Sequence, residues 1–156
     1  MRIDIMSKLR GVDSFEALWS RKLTMTDGDG NQIAVLSLAD LVKAKKTQRT
    51  KDWPMIQRLL EVDYLTHRLR APDEKRKFWL RELRSPELLI ELSTRHPEES
   101  RSLAATRPLL LFAEQRDLAR IEDGLMLEEK FERERDRQYW EPLRKELEVM
   151  RHARLS

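Results

Sequence analysis

The chain contains no cysteine. That excludes disulfides and thiolate-ligated metals, and it fits a reducing compartment. It also lacks any long apolar run. The longest, residues 109–113, is far short of the ~20 residues that span a bilayer. The opening MRIDIMSKLRGVD has no apolar stretch of the kind that targets a chain for export. The expectation is a cytoplasmic protein with no membrane attachment. No P-loop, G-x-G-x-x-G or G-x-S-x-G occurs, so those phosphate cradles and that nucleophile turn are missing. The three histidines, His67, His96 and His152, stand far apart and match no ligand spacing. No internal repeat or low-complexity tract appears.

Charge is what the chain has in abundance. Of 156 residues, 38% are charged, well above the usual ~25%. Such a load needs much surface, which favours elongated or thinly packed helices. Basic and acidic side chains number 31 and 28, so the net charge is only +3 and does not by itself imply a polyanion partner. The excess is uneven. Residues 1–72 hold thirteen Lys/Arg against nine Asp/Glu, whereas the remainder is almost balanced.

Pattern divides the chain into an α+β start and a helical remainder. Ile3 and Ile5 alternate with Asp4 and Met6, a short strand pattern. Asp13 and Glu16 form a D-x-x-E capping box for a helix through Phe15, Leu18 and Trp19. Lys22-Leu23-Thr24-Met25-Thr26 and Gln32-Ile33-Ala34-Val35-Leu36 alternate on either side of Asp27-Gly28-Asp29-Gly30-Asn31, a hairpin with dense turn chemistry. A sheet of three short strands needs helices over one face. Ser37, with Asp40 three residues on, predicts a capped helix, and another should start near Asp52 with Pro54 in its first turn. Beyond residue 70 the pattern is helical throughout. Asp73 and Ser85-Pro86 mark starts, and His96-Pro97 and Pro108 mark breaks. A long charged helix should follow from residue 109, split at Pro142 by a kink or a fresh start. The expected organisation is an α/β region over residues 1–70 and a helical extension over residues 71–156.

The stretch from Arg2 to Leu60 resembles bacterial members of the nucleotidyltransferase superfamily, which includes the minimal enzymes of toxin–antitoxin systems. The resemblance rests on Arg2-Ile3-Asp4-Ile5, then Gly11-Val12 and Phe15-Glu16. It continues through the hairpin ending in Val35-Leu36-Ser37, Asp40-Leu41-Val42 with Lys45, and the run Arg49, Lys51, Asp52. The resemblance implies a partial nucleotidyltransferase-like sheet with helices on it. It covers only the later part of that fold. The Gly-Ser helix start and the Asp-x-Asp strand that hold the metals in such enzymes are absent. Asp4 stands where a third carboxylate would be, a remnant unable to hold two metals. Asp27 and Asp29 form a D-x-D, but in the hairpin turn.

The candidate site residues are therefore few. No catalytic residue is expected beyond Asp4 as a remnant, no metal site, and no cofactor. Lys43, Lys45, Lys46, Arg49 and Lys51 form a run without an acid. On one continuous helix Lys45 and Arg49 would share a face, a candidate for weak binding of RNA or nucleotide. The four tryptophans, Trp19, Trp53, Trp79 and Trp140, are expected to anchor helices against one another. The C-terminal segment with Leu118, Ile121, Leu125, Phe131 and Tyr139 either folds back or binds a partner. Three functional readings stay open. One is a binding module related to nucleotidyltransferases, acting as a homodimer or with a helical protein partner. Another is the later part of an active transferase whose first half precedes Met1. The third is a purely structural helical interaction protein.

Overall fold

The computed structural model describes residues 9–153. The expected strand at residues 2–6, and with it Asp4, lies outside the described residues. The class is α+β: one two-stranded antiparallel hairpin near the N-terminus, then helices, ending in a long one. The chain packs into two compact units. One is built from the ranges 1–48 and 133–156, the other from residues 49–132. The expected division at residue 70 falls inside the second unit.

In the first unit, α1 (Phe15–Ser20) starts at Ser14, whose Oγ accepts the Ala17 amide at 3.4 Å. The cap expected at Asp13 is one residue later. Asp13 instead accepts from Arg21 at 2.6 Å. The same guanidinium grips both oxygens of Asp40 at 2.7 Å each. Strand β1 (Leu23–Thr26) pairs with β2 (Gln32–Val35), Leu23 opposite Val35 and Thr26 opposite Gln32. The turn is closed by Asp27. Its carboxylate accepts the amides of Asp29 and Asn31 at 3.0 and 2.8 Å, and Gly30 supplies the positive φ. Every strand residue is exposed except Val35, so helices do not cover a face of the hairpin as expected. Helix α2 (Leu38–Lys45) is capped by Ser37, whose Oγ accepts the Asp40 amide and donates to its carboxylate. The chain then turns. Asp136, far along the sequence and 2% exposed, takes the Gln48 amide at 3.0 Å and Arg10 at 3.1 Å.

The second unit is helical. It comprises α3 (Asp52–His67), α4 (Asp73–Glu82), α5 (Pro86–Arg95), α6 (Pro97–Ala104), α7 (Leu109–Glu114) and the early turns of α8 (Leu118–Ala153). Pro86 and Pro97 open α5 and α6, where the missing N–H has no intrahelical use. Asp73, expected to mark the start of α4, lies in its first turn after Pro72. Ser85 stands at the N-cap of α5 where Ser85-Pro86 places the start, and its hydroxyl donates to Glu61. Ile56, Leu60 and Tyr64 recur every four residues on α3. They join Trp79, Leu80, Leu83, Leu89, Leu92, Leu110 and Ile121 in a core exposed by 1% or less. Arg68 holds both oxygens of Glu91 at 2.7 and 2.9 Å, tying the end of α3 to α5.

The long C-terminal helix departs from its expected outline at its start and at Pro142. It begins at Leu118, not residue 109, because Arg116 at φ 57° ends α7 and the Asp117 carboxylate accepts the Arg120 amide in a new cap. It then runs unbroken through Pro142. Pro142 and Gln138 are both exposed, so water can take the carbonyl that proline leaves unbonded.

Candidate functional site

A groove of about 660 Å³ opens on the first unit. Residues of three elements and a loop build it. Leu9 and Val12 precede α1; Phe15, Leu18 and Trp19 come from α1; Ala34, Val35 and Leu36 come from β2 and its exit; Tyr139 comes from α8. Phe15 and Trp19, four apart on α1, stack at 5.6 Å with their planes 26° apart. The Lys22 ammonium lies 4.3 Å from the Trp19 ring centre and donates to the Trp19 carbonyl at 3.4 Å. Tyr139 packs edge-on against Trp140 at 4.9 Å. The walls are wet in this chain. Phe15 is 68% exposed, and Trp19 and Tyr139 about half exposed.

The groove's frame is ionic. Arg21, at the C-cap of α1, joins it to Asp40 in the first turn of α2. Arg21 and the Ser37 hydroxyl hold the Asp40 carboxylate below the usual range, the Arg21 bonds contributing most. Asp13, on the rim, shares the same guanidinium.

The residues singled out from the sequence are scattered. Asp27 is consumed by its own turn, and Asn31 lowers its carboxyl below the ordinary value through side-chain and backbone bonds. His67 lies against Asp63 and His96 against Glu99. Among the described residues, no three His, Asp or Glu stand together as a cation cluster. The basic run does not form one helical face. Lys43 and Lys45 occupy the last turn of α2 and Lys46 its C-cap, whereas Arg49 and Lys51 belong to the second unit. The helix stops because the Lys46 amide turns back to Lys43 and the Gln48 amide goes to Asp136. Trp53 and Trp79 are buried anchors, but Trp19 is a groove wall. No described helix is long and apolar enough to cross a membrane.

Comparison with family models, with curated proteins and with solved structures finds no match to this chain.

Proposed function

We propose that this chain is a binding module, and that its groove takes the apolar face of a helical segment from a protein partner carrying an acidic residue beside that face. The exposed aromatic wall of Phe15, Trp19 and Tyr139 around an apolar floor carries this reading. Large aromatics left in water around a concavity are the usual mark of an occupied surface. Amphipathic helices lie in such grooves through residues spaced three and four apart. Lys22, above Trp19, offers the positive charge that an acid beside the apolar face would meet.

Two dyes probe this on the full chain: anionic anilinonaphthalene sulfonate and neutral phenylnaphthylamine. Phe15→Ser with Trp19→Ser should weaken both by about tenfold, the loss of two buried aromatic contacts. Lys22→Glu should weaken only the anionic dye. Dye fluorescence that ignores the aromatic pair would refute the groove.

The resemblance to nucleotidyltransferases supplies a separate proposal about chemistry. With Asp27 bonded into its turn, Asp4 is left as the candidate remnant carboxylate. The expected result is no transfer from labelled ATP, CTP, GTP or UTP with magnesium or manganese. Label appearing in an RNA or protein acceptor, and lost in Asp4→Asn, would make the chain a transferase instead.

A further inference from the structure

The end of α8 is a helix that no described residue covers. Every residue from 141 to 153 is exposed. A free helix of this length is marginal in water, more so with a proline inside it. Yet its sequence is not polar all round. Tyr139, Leu143, Leu147 and Met150 are about half exposed, and Trp140 is partly covered. At ~100° per residue these five side chains fall within about 100° of the helix circumference.

The spacing is that of a coiled-coil seam. Trp140 and Leu147 are seven apart, as are Leu143 and Met150, and the two pairs interleave at three and four. Charges flank the seam asymmetrically. Glu146 borders it on one side; Arg144 and Arg151 border it on the other. Glu146 and Arg151 are five apart, on opposite sides of the stripe, so they cannot meet within one helix. Among the described residues neither has an intrachain ion pair. Lys145 and Glu141, by contrast, bond at 2.8 Å on the outer face, where Pro142 also lies.

We propose that two copies of this chain pair the ends of α8 as a parallel, in-register two-stranded coiled coil over residues 139–153. Trp140, Leu143, Leu147 and Met150 form the seam, and Glu146 of each copy bonds Arg151 of the other. The charges select both occupant and direction. In a parallel pair, a residue on the acidic flank meets the residue five further along on the other copy. That places Glu146 against Arg151 twice by symmetry, and Tyr139 against Arg144, a ring facing a cation. An antiparallel pair would set like flank against like, arginine against arginine. The second copy supplies the missing apolar cover and the missing counter-charges together. Two heptads make a short seam, so the pair is weak and depends on concentration.

The test uses sedimentation equilibrium on the full chain. The mass should rise from 18.7 kDa toward twice that value as concentration increases from about 10 to about 500 micromolar, the range of a weak interface. Glu146→Arg or Arg151→Glu alone should weaken the dimer about tenfold, since two attractive contacts become repulsive. The two together should restore it, with circular dichroism confirming that all variants keep their helix. Because the chain has no cysteine, Met150→Cys introduces a single thiol. It should cross-link on mild oxidation, which needs Cα atoms within about 7 Å. A pair overlapped antiparallel about residue 146 would set the two 150 positions about 12 Å apart along the axis. A monomer at every concentration overturns the proposal, as does a dimer that fails to cross-link. Single swaps without effect, or a double swap that does not restore, also overturn it.

Discussion

Replacing Arg107 with alanine should lower the stability of the second unit by about 3–5 kcal/mol, the cost of leaving two buried carbonyls unbonded and a part-buried carboxylate short of its main partner. Arg107 is 5% exposed and makes four bonds. Two run to the oxygens of Glu128 at 2.8 and 2.9 Å. Two more, both 2.8 Å, go to the carbonyls of Leu80 and Leu83 at the end of α4. Helix-terminal carbonyls have no partner of their own, so here the guanidinium completes the helix. Arg84 also reaches Glu128, at 3.4 Å, and donates to the Leu125 carbonyl at 2.6 Å. Alanine would therefore strand two buried carbonyls and remove two of the three bonds to the Glu128 carboxylate. Lysine would keep the charge but not the fork, and about 2 kcal/mol of the loss should remain. Removing the other partner should matter less. Glu128→Ala leaves Arg107 with both carbonyls, and the Glu128 side chain is 32% exposed, so about 1–2 kcal/mol is expected. Urea unfolding followed by tryptophan fluorescence reads these losses, since Trp53 and Trp79 both lie in this unit. An Arg107→Ala variant within about 1 kcal/mol of the parent would mean the carbonyls find water.

Much of the fold was legible where chemistry is local. The run from Asp27 to Asn31 needs only its own amides and one glycine to close, and the hairpin appears where expected. Ser37, Pro86 and Pro97 set helix starts through effects spanning three or four residues. The misreadings share one feature, a distant partner. Asp13 and Ser14 are both competent caps, and Arg21 and Asp40 decide between them by drawing Asp13 away. The boundary at residue 48 depends on Asp136, 88 residues on from the Gln48 amide it receives. Nothing in the residues near 48 announces it. Arg116 at positive φ gives no sequence signal, because arginine is not a residue that favours that backbone.

The candidate groove was half legible. Phe15, Leu18 and Trp19 share a helix face by spacing, and the returning strand carries Val35 and Leu36. Tyr139 joins them from more than a hundred residues away. Lys45 and Arg49 would share a face only if one helix carried both, and that is not legible from spacing, because Lys46 and Gln48 direct their amides elsewhere. The long amphipathic segment divides in the structure, with Ile121 and Leu125 buried and Phe131 and Tyr139 exposed, a split that spacing alone does not show.

Tryptophan position gives the second large expectation: Trp79→Ala should cost about 3–5 kcal/mol, whereas Trp19→Ala should cost under about 1 kcal/mol. Both residues sit on short helices. Burial distinguishes them. Trp79 is fully enclosed and Trp19 is 50% exposed. The Trp79 ring meets Tyr64 edge-on at 5.0 Å and 82°, joining α4 to α3. Its Nε1 donates to Asp63 at 2.8 Å, and Lys75 bonds the other oxygen of Asp63 at 2.9 Å while its ammonium lies 5.6 Å from the ring centre. Alanine would open a cavity beside Tyr64 that rigid helices cannot collapse to fill. Phenylalanine separates the two contributions. It keeps most of the apolar volume and loses the N–H, so about 1–2 kcal/mol is expected, with Lys75 still serving Asp63. Denaturant unfolding followed by far-ultraviolet circular dichroism measures all three variants without relying on the fluorescence being removed. The expected order is Trp79→Ala, then Trp79→Phe, then Trp19→Ala. Equal losses for Trp79→Ala and Trp19→Ala would show that the α3–α4 contact does not limit stability.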